Sequence, residues 1–189
     1  MKRPALLIID MQNDFVRVGA PMQMPGAEYI IANIRDVLEA FRHQGHPVFH
    51  VVRVHRGDGS DVEVFRREIF NNVPFAVEGT PGSAIIDELM PVQGEYIIRK
   101  SRMSAFMNTD LDLLLRSLGI DTVVVTGIQT PNCIRTTVFD AAAIGYQSVL
   151  VEDAVAARNS AVHQANLFDM ANIGTVIVKK DTIRDLICC

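Results

Sequence analysis

The 189-residue sequence has no long apolar segment, and this absence argues against an integral membrane protein. Hydrophobic residues make up 49% of the chain, yet no apolar run approaches the roughly 18 residues that a membrane-spanning helix needs. The opening MKRPALLIID is basic and then apolar, but Asp10 interrupts the apolar run too early for a secretory signal. We therefore expect a cytoplasmic protein without membrane contact.

An excess of positive charge and the common cofactor motifs are also absent. The net charge of -4 comes without a basic face or an RNA-binding motif, so we expect no nucleic-acid partner. Neither G-x-G-x-x-G after a strand nor G-x-x-x-x-G-K-[ST] occurs, which removes the usual support for nucleotide cofactors. The histidines form no H-E-x-x-H motif or Cys/His cluster, so we expect no shared metal.

Cysteine is scarce. Cys133 lies in the interior of the sequence, and Cys188 and Cys189 form an adjacent pair at its C-terminus. An odd number of cysteines without framework spacing indicates free thiols in a reducing compartment. The adjacent pair is expected to be a tolerated, oxidisable tail, because neighbouring cysteines rarely meet disulfide geometry without strain.

Short runs rich in Val and Ile alternate with helical patterns, which is typical of a parallel sheet covered on both faces. The length predicts one domain, 1–189. Strands are predicted at 5–10, 47–54, 95–100, 122–127, 147–152 and 174–179. Helices are predicted at about 30–41 with a stop at Gly45, and at 83–90, 109–118, 131–144, 160–172 and 182–187. We expect a three-layer α/β/α fold whose six parallel strands have the Rossmann-like order 3-2-1-4-5-6.

The segment 55–82 does not fit this alternation. It is charged, and it carries four glycines and two prolines. A connection of this length is usually functional or disordered. Two interpretations stay open: an excursion that covers the substrate or contacts another subunit, and a solvated loop.

Three polar residues lie at the ends of predicted strands or just after them, at the edge where parallel sheets bind ligands. These residues are Asp10, Lys100 and Cys133. Asp10 could equally cap a turn, Lys100 could be a solvated strand end, and Cys133 could be a buried core thiol. In the expected strand order, Asp10 and Cys133 flank the reversal, and Lys100 starts about 9 to 10 Å from the first strand, a gap that extended side chains can close.

The chemistry of this combination favours a nucleophilic site. Cys133 is predicted in the first turn of a helix, with Thr130 as N-cap and Pro131 at the first helical position. The unpaired N–H groups and the helix dipole there favour a thiolate. A carboxylate beside the thiol can act as a general base, and a lysine can hold that carboxylate ionised.

Four segments resemble the isochorismatase-like cysteine hydrolases, a superfamily that includes nicotinamidases, N-carbamoylsarcosine amidase and ureidoacrylate amidohydrolase. The segments are LLIIDMQNDF around Asp10, EGTPG at 78–82, KSRMSAF from Lys100 and GIQTPNC ending at Cys133. The run QTPNCIRTTVFDA, with SDVEVFRR upstream, is most similar to nicotinamidases of the plant type.

The resemblance implies roles for specific residues. Asp10, Lys100 and Cys133 would form the catalytic triad. A cis peptide would join Ile128 to Gln129, and the N–H groups of Gln129 and Cys133 would form the oxyanion hole.

The resemblance also implies a substrate pocket and an assembly. Phe15 would line the pocket. Arg53 and His55 stand where metal-binding members carry an Asp-x-His pair, so we expect no metal and a substrate contact from both residues instead. A homodimer or homotetramer is implied.

These observations predict an amidohydrolase that converts a small, nicotinamide-like amide to an acid and ammonia through a thioester. Three alternatives stay open: an amidase for N-carbamoyl or ureido compounds, a vinyl-ether hydrolase of the isochorismatase type, and a non-catalytic binding or redox protein that uses the thiol. The retained Cys133 argues against the vinyl-ether hydrolase, which needs no thiol nucleophile.

Overall fold

The computed structural model describes residues 1–187, so the predicted tail at Cys188 and Cys189 lies outside the described residues. Six parallel strands form one sheet in the order 3-2-1-4-5-6, which confirms the predicted fold class and strand order. The strands are β1 (Pro4–Ile9), β2 (Val48–Arg53), β3 (Tyr96–Lys100), β4 (Thr122–Ile128), β5 (Gln147–Ala156) and β6 (Val176–Val178).

Residues 1–187 contain seven α-helices. They are α1 (Asn13–Val16), α2 (Ile31–Gln44), α3 (Arg67–Asn72), α4 (Leu111–Ser117), α5 (Arg135–Ala143), α6 (Ser160–Asn172) and α7 (Lys180–Ile187). Helices α2 and α7 contribute to the apolar core on one face, and α4, α5 and α6 contribute to the core on the other. Helix α2 stops where predicted, at Gly45, which has a left-handed φ of 70° and donates its N–H to the Arg42 carbonyl. None of the helices in residues 1–187 is long and apolar enough to span a bilayer.

The centre of the sheet is buried on both sides. Along β1, Leu6 and Ile8 belong to one apolar core, and Leu7 and Ile9 belong to the other, as the alternation of a strand requires. Strand β4 pairs with β1 so that Gly127 lies opposite Ile9. A Cβ atom at Gly127 would lie 2.1 Å from the Ile9 carbonyl oxygen, so this close approach requires glycine. The ends of β1 and β4 are thereby held side by side.

The predicted helix at 83–90 is wrong. Short 3-10 turns at Pro81–Ser83 and Asp87–Leu89 flank an extended stretch instead. In that stretch Ile85 forms an antiparallel bridge with Gln12, and the Ile86 N–H donates to the Met11 carbonyl at 3.1 Å. The backbone is therefore extended because its hydrogen bonds go to the chain that follows β1.

The helix predicted at 131–144 has a different beginning. A single π-helical turn, Thr130–Ile134, precedes α5, and Cys133 lies inside this turn. The prediction that Thr130 is the N-cap is wrong, because Thr130 is the first residue of the π-helical turn and Gln129 is its N-cap. The Thr130 hydroxyl lies 3.0 Å from Nδ1 of His163, so α6 holds the turn that carries Cys133.

The segment 55–82 is folded and not a solvated loop. It contains a 3-10 turn, Val64–Arg66, followed by α3. Phe70 and Phe75 are buried and pack edge to face, and Phe75 makes the same kind of contact with Phe15. Aromatic packing therefore fixes this segment against the chain that follows β1.

Candidate active site

Asp10, Lys100 and Cys133 meet at the carboxyl edge of the sheet. Asp10 follows β1, Lys100 ends β3, and Cys133 lies in the turn after β4. The Lys100 ammonium donates to Asp10 Oδ2 at 2.8 Å, and it lies 3.4 Å from Cys133 Sγ. All three residues are at most 4% exposed, so their charges interact with little screening by water.

The backbone and the second carboxylate oxygen of Asp10 are unusual. Its φ of 56° lies in the left-handed region, where side chains other than glycine are uncommon. The Asp10 N–H donates to the Val51 carbonyl at 2.8 Å, which keeps the residue at the end of the sheet. Within residues 1–187, the buried Oδ1 atom has no hydrogen-bond partner. An unpaired buried acceptor costs roughly 1 to 3 kcal/mol, and here it leaves one oxygen able to accept a proton.

A second cation contacts the Cys133 sulfur. Arg53, the last residue of β2, is 1% exposed and donates to Sγ at 3.5 Å. The same guanidinium donates to Glu63 at 2.8 Å. Burial disfavours its charge, but attraction to Cys133, Asp10 and Glu63 raises the pKa of Arg53 above its ordinary value. The Cys133 sulfur thus lies within 3.5 Å of two cations, which would stabilise a negative charge that develops on it during a reaction.

Gln12 fixes the backbone of Arg53. Its Oε1 accepts the Arg53 N–H at 2.7 Å, and its Nε2 donates to the carbonyls of Arg53 and Ser83 at 2.8 and 2.7 Å. The side chain is fully buried and ties the end of β2 to the chain that follows β1. Sequence reasoning assigned no role to Gln12, although it lies inside the motif around Asp10.

A narrow cavity of about 30 Å³ opens onto Cys133 and Asp10. Its apolar wall consists of Phe15, Met22 and Met24. Ile128 and Gln129, which are joined by a cis peptide bond, also line the cavity. The remaining lining residues are Arg53, Arg66 and Asn132. Sequence reasoning had placed Phe15 and Arg53 at the pocket, but it missed Met22, Met24, Arg66 and Asn132.

His55 lies outside this cavity. It is fully buried, with its ring 5.9 Å from Phe70 and 5.6 Å from Phe75. Its Nδ1 atom is 3.4 Å from an Asp61 carboxylate oxygen. Burial first, and then the charge of Arg53, lower the pKa of His55. The structure therefore brings Arg53 to the cavity but keeps His55 in an aromatic cluster behind it.

Among residues 1–187, no group of three or more His, Cys, Asp or Glu side chains is arranged to hold a metal ion. Arg53 stands where the resemblance would place the carboxylate of a metal-binding Asp-x-His pair, and it presents a cation to the cavity.

The chain is similar to known proteins over almost its whole length. The isochorismatase domain family matches residues 4–182. A probable inactive nicotinamidase of Arabidopsis thaliana is 44% identical over 188 residues, which cover 97% of this chain and 94% of that protein. An N-carbamoylsarcosine amidase of an Arthrobacter species is 37% identical over 175 residues, covering 90% of this chain and 66% of that protein. The crystal structure of an isochorismatase family protein from Desulfovibrio vulgaris superposes with a TM-score of 0.94 at 45% identity and covers 98% of each chain.

Proposed function

The chain belongs to the isochorismatase family, and on that premise we propose that it is an amidohydrolase with Cys133 as its nucleophile. The substrate class is a small amide, which is cleaved to a carboxylic acid and ammonia or an amine. One observation carries this proposal: the buried Lys100 ammonium contacts both the Asp10 carboxylate and the Cys133 sulfur. A nucleophile, a base and a group that orients the base are the parts that covalent amide hydrolysis needs.

Acylation begins when Asp10 takes the thiol proton. Cys133 Sγ then bonds to the amide carbonyl carbon, and the electron pair of the C=O bond moves to oxygen. The backbone N–H groups of Gln129 and Cys133 hold this oxyanion. When the C–N bond breaks, protonated Asp10 gives its proton to the departing nitrogen, which leaves a thioester on Cys133.

Deacylation uses the same carboxylate again, now as the base that activates water. Asp10 removes a proton from water while the oxygen attacks the thioester carbonyl, and the C–S bond breaks. The acid leaves, and the proton returns to the sulfur. Lys100 holds Asp10 in place throughout, while Arg53 stabilises the sulfur anion in both steps.

The alternatives differ in what they require of Cys133. A vinyl-ether hydrolase needs an acid but no thiol, so the two cations directed at the sulfur would serve no purpose there. A non-catalytic thiol protein would need no base beside the sulfur. An amidase for N-carbamoyl compounds uses the same groups as the proposed enzyme, and the similarity to an N-carbamoylsarcosine amidase favours it as the second candidate.

Measurement of ammonia release separates these possibilities. Purified protein would be incubated with nicotinamide, N-carbamoyl amino acids and simple aliphatic amides. We expect release from at least one class, and its loss after alkylation of Cys133 with iodoacetamide. If Cys133 is alkylated readily while none of these compounds is hydrolysed, the non-catalytic interpretation is favoured.

A further inference from the structure

His163 on helix α6 is a titratable residue that the proposed mechanism does not use. Its Nδ1 atom lies 3.0 Å from the hydroxyl of Thr130, which is fully buried. A threonine hydroxyl can donate to a ring nitrogen or accept from it, so the bond forms in either tautomer of the imidazole. Loss of the partner would leave a buried hydroxyl unpaired, at a cost of roughly 1 to 3 kcal/mol. The bond therefore ties α6 firmly to the turn that carries Cys133.

The position of Thr130 makes this bond relevant to the chemistry. In the proposed mechanism the N–H groups of Gln129 and Cys133 hold the oxyanion, and Thr130 lies between these two residues in the chain. The Gln129 carbonyl accepts the N–H groups of Asn132 at 3.0 Å and Ile134 at 3.2 Å, so the turn closes on a single carbonyl. A π-helical turn is a rare and wide form of helix that is frequent at functional sites. A side-chain bond at its first residue fixes the peptide groups on both sides.

Other contacts keep α6 in place without His163. The Arg135 guanidinium of α5 donates to the Asp169 carboxylate of α6 at 2.9 Å, and Leu167 and Met170 of α6 are buried in the apolar core. Burial lowers the pKa of His163 more than the nearby charge of Glu152 raises it, so the imidazole is neutral at pH 7. The contribution of His163 to the turn is therefore a neutral hydrogen bond, and its replacement should leave the helix docked.

We propose that His163 is a positioning residue for the oxyanion hole: through its bond to Thr130 it aims the N–H groups of Gln129 and Cys133 at the carbonyl oxygen of the substrate. Donors in an oxyanion hole are effective because they are already directed at the place where charge develops. A small displacement of such groups is costly to catalysis even when the substrate still binds. This inference rests on the proposed function and adds a residue from a separate helix to it.

The kinetic test removes either partner of the bond. His163→Leu and Thr130→Val should each lower kcat by roughly 30-fold with little change in KM, because the oxyanion is present only in the transition state. The double variant should lose no more than either single variant, since both changes break the same bond. His163→Asn places an amide near the Nδ1 position and should recover most of kcat. Gln164→Leu is the matched control, because Gln164 is the next residue of α6 and is exposed.

Alkylation of Cys133 distinguishes positioning of the oxyanion hole from a general loss of the site. Iodoacetamide reacts with sulfur at a saturated carbon, so the reaction forms no oxyanion. Its rate at Cys133 should therefore stay the same in His163→Leu while kcat falls. Equal losses of alkylation rate and kcat would overturn the inference, because they would show that the nucleophile itself was disturbed. An unchanged kcat, or losses that multiply in the double variant, would overturn it as well.

Amide hydrogen exchange separates failure of this inference from failure of the proposed function. Mass spectrometry would follow exchange in the peptide that covers 129–135, which needs no substrate. Faster exchange there in His163→Leu and in Thr130→Val, but not in Gln164→Leu, supports the positioning role. If the wild-type protein hydrolyses no amide while this difference is seen, the amidase is rejected and the link between α6 and the turn stands. Unchanged exchange in both variants overturns the positioning role and leaves the amidase to the ammonia assay.

Discussion

Replacement of Cys133 by alanine is expected to lower kcat for amide hydrolysis by at least about 10⁴-fold, because the covalent step loses its nucleophile. The fold should persist. Cys133 is buried in the apolar core beside α5, and loss of one sulfur atom should change the free energy of unfolding by about 1 kcal/mol. Steady-state kinetics on the substrate found in the ammonia assay, with thermal unfolding of the same sample, measure both quantities.

The serine variant is the control for this prediction. Cys133→Ser keeps a hydroxyl near the sulfur position, but a hydroxyl ionises far less readily than a thiol, so turnover should stay very low. The two variants should therefore be nearly equally inactive. Hydrolysis that survives in the alanine variant would show that water attacks directly, as a vinyl-ether type of mechanism requires.

The second large effect is expected from Lys100→Met, which should impair both turnover and stability. The Lys100 and Asp10 side chains are 0% and 6% exposed and lie 2.8 Å apart. Removal of the cation leaves the carboxylate buried without this partner, which should cost about 3 kcal/mol in the free energy of unfolding. Turnover should fall because Asp10 loses the group that orients it. Denaturant unfolding and steady-state kinetics give the two values.

A double variant separates the structural part of this effect from the chemical part. Asp10→Asn combined with Lys100→Met leaves two uncharged side chains at these positions. The double variant should therefore recover much of the stability that Lys100→Met alone loses. It should recover no turnover, because no base is left. A double variant that regained hydrolysis would remove Asp10 from the mechanism.

The sheet was predictable because burial leaves a clear pattern. Each strand of the sheet centre is a short Val- and Ile-rich run, and a strand covered on both faces has no polar alternation to obscure it. The order 3-2-1-4-5-6 is the common one for sheets of this kind, and ligands are expected where that order reverses. The meeting of Asp10, Lys100 and Cys133 could be anticipated for the same reason, since each follows or ends a strand at one edge.

The errors arose where local patterns compete with distant backbone partners. The segment 83–90 has a helical pattern, but Ile85 and Ile86 bond to Gln12 and Met11, which lie more than 70 residues away in sequence. No local signal encodes that pairing. The hydroxyl of Thr130 is likewise hydrogen-bonded to His163, which lies on helix α6.

Arg66, which lines the cavity, and Glu63, which pairs with Arg53, were missed for a related reason. Arg66 and Glu63 lie in a segment whose course depends on the burial of Phe70 and Phe75. Only folding shows which of its charged side chains points inward. The SDVEVFRR run, which carries both residues, was noted as part of the resemblance, and its two adjacent arginines gave no indication of which one is buried.

Mass spectrometry of an acid-quenched reaction shows whether Cys133 bonds covalently to the substrate carbonyl. We expect the peptide containing Cys133 to gain the mass of the acyl group during turnover and to lose this adduct when the substrate is exhausted. Sustained hydrolysis without any adduct on that peptide, together with an active Cys133→Ala protein, would rule out the covalent mechanism.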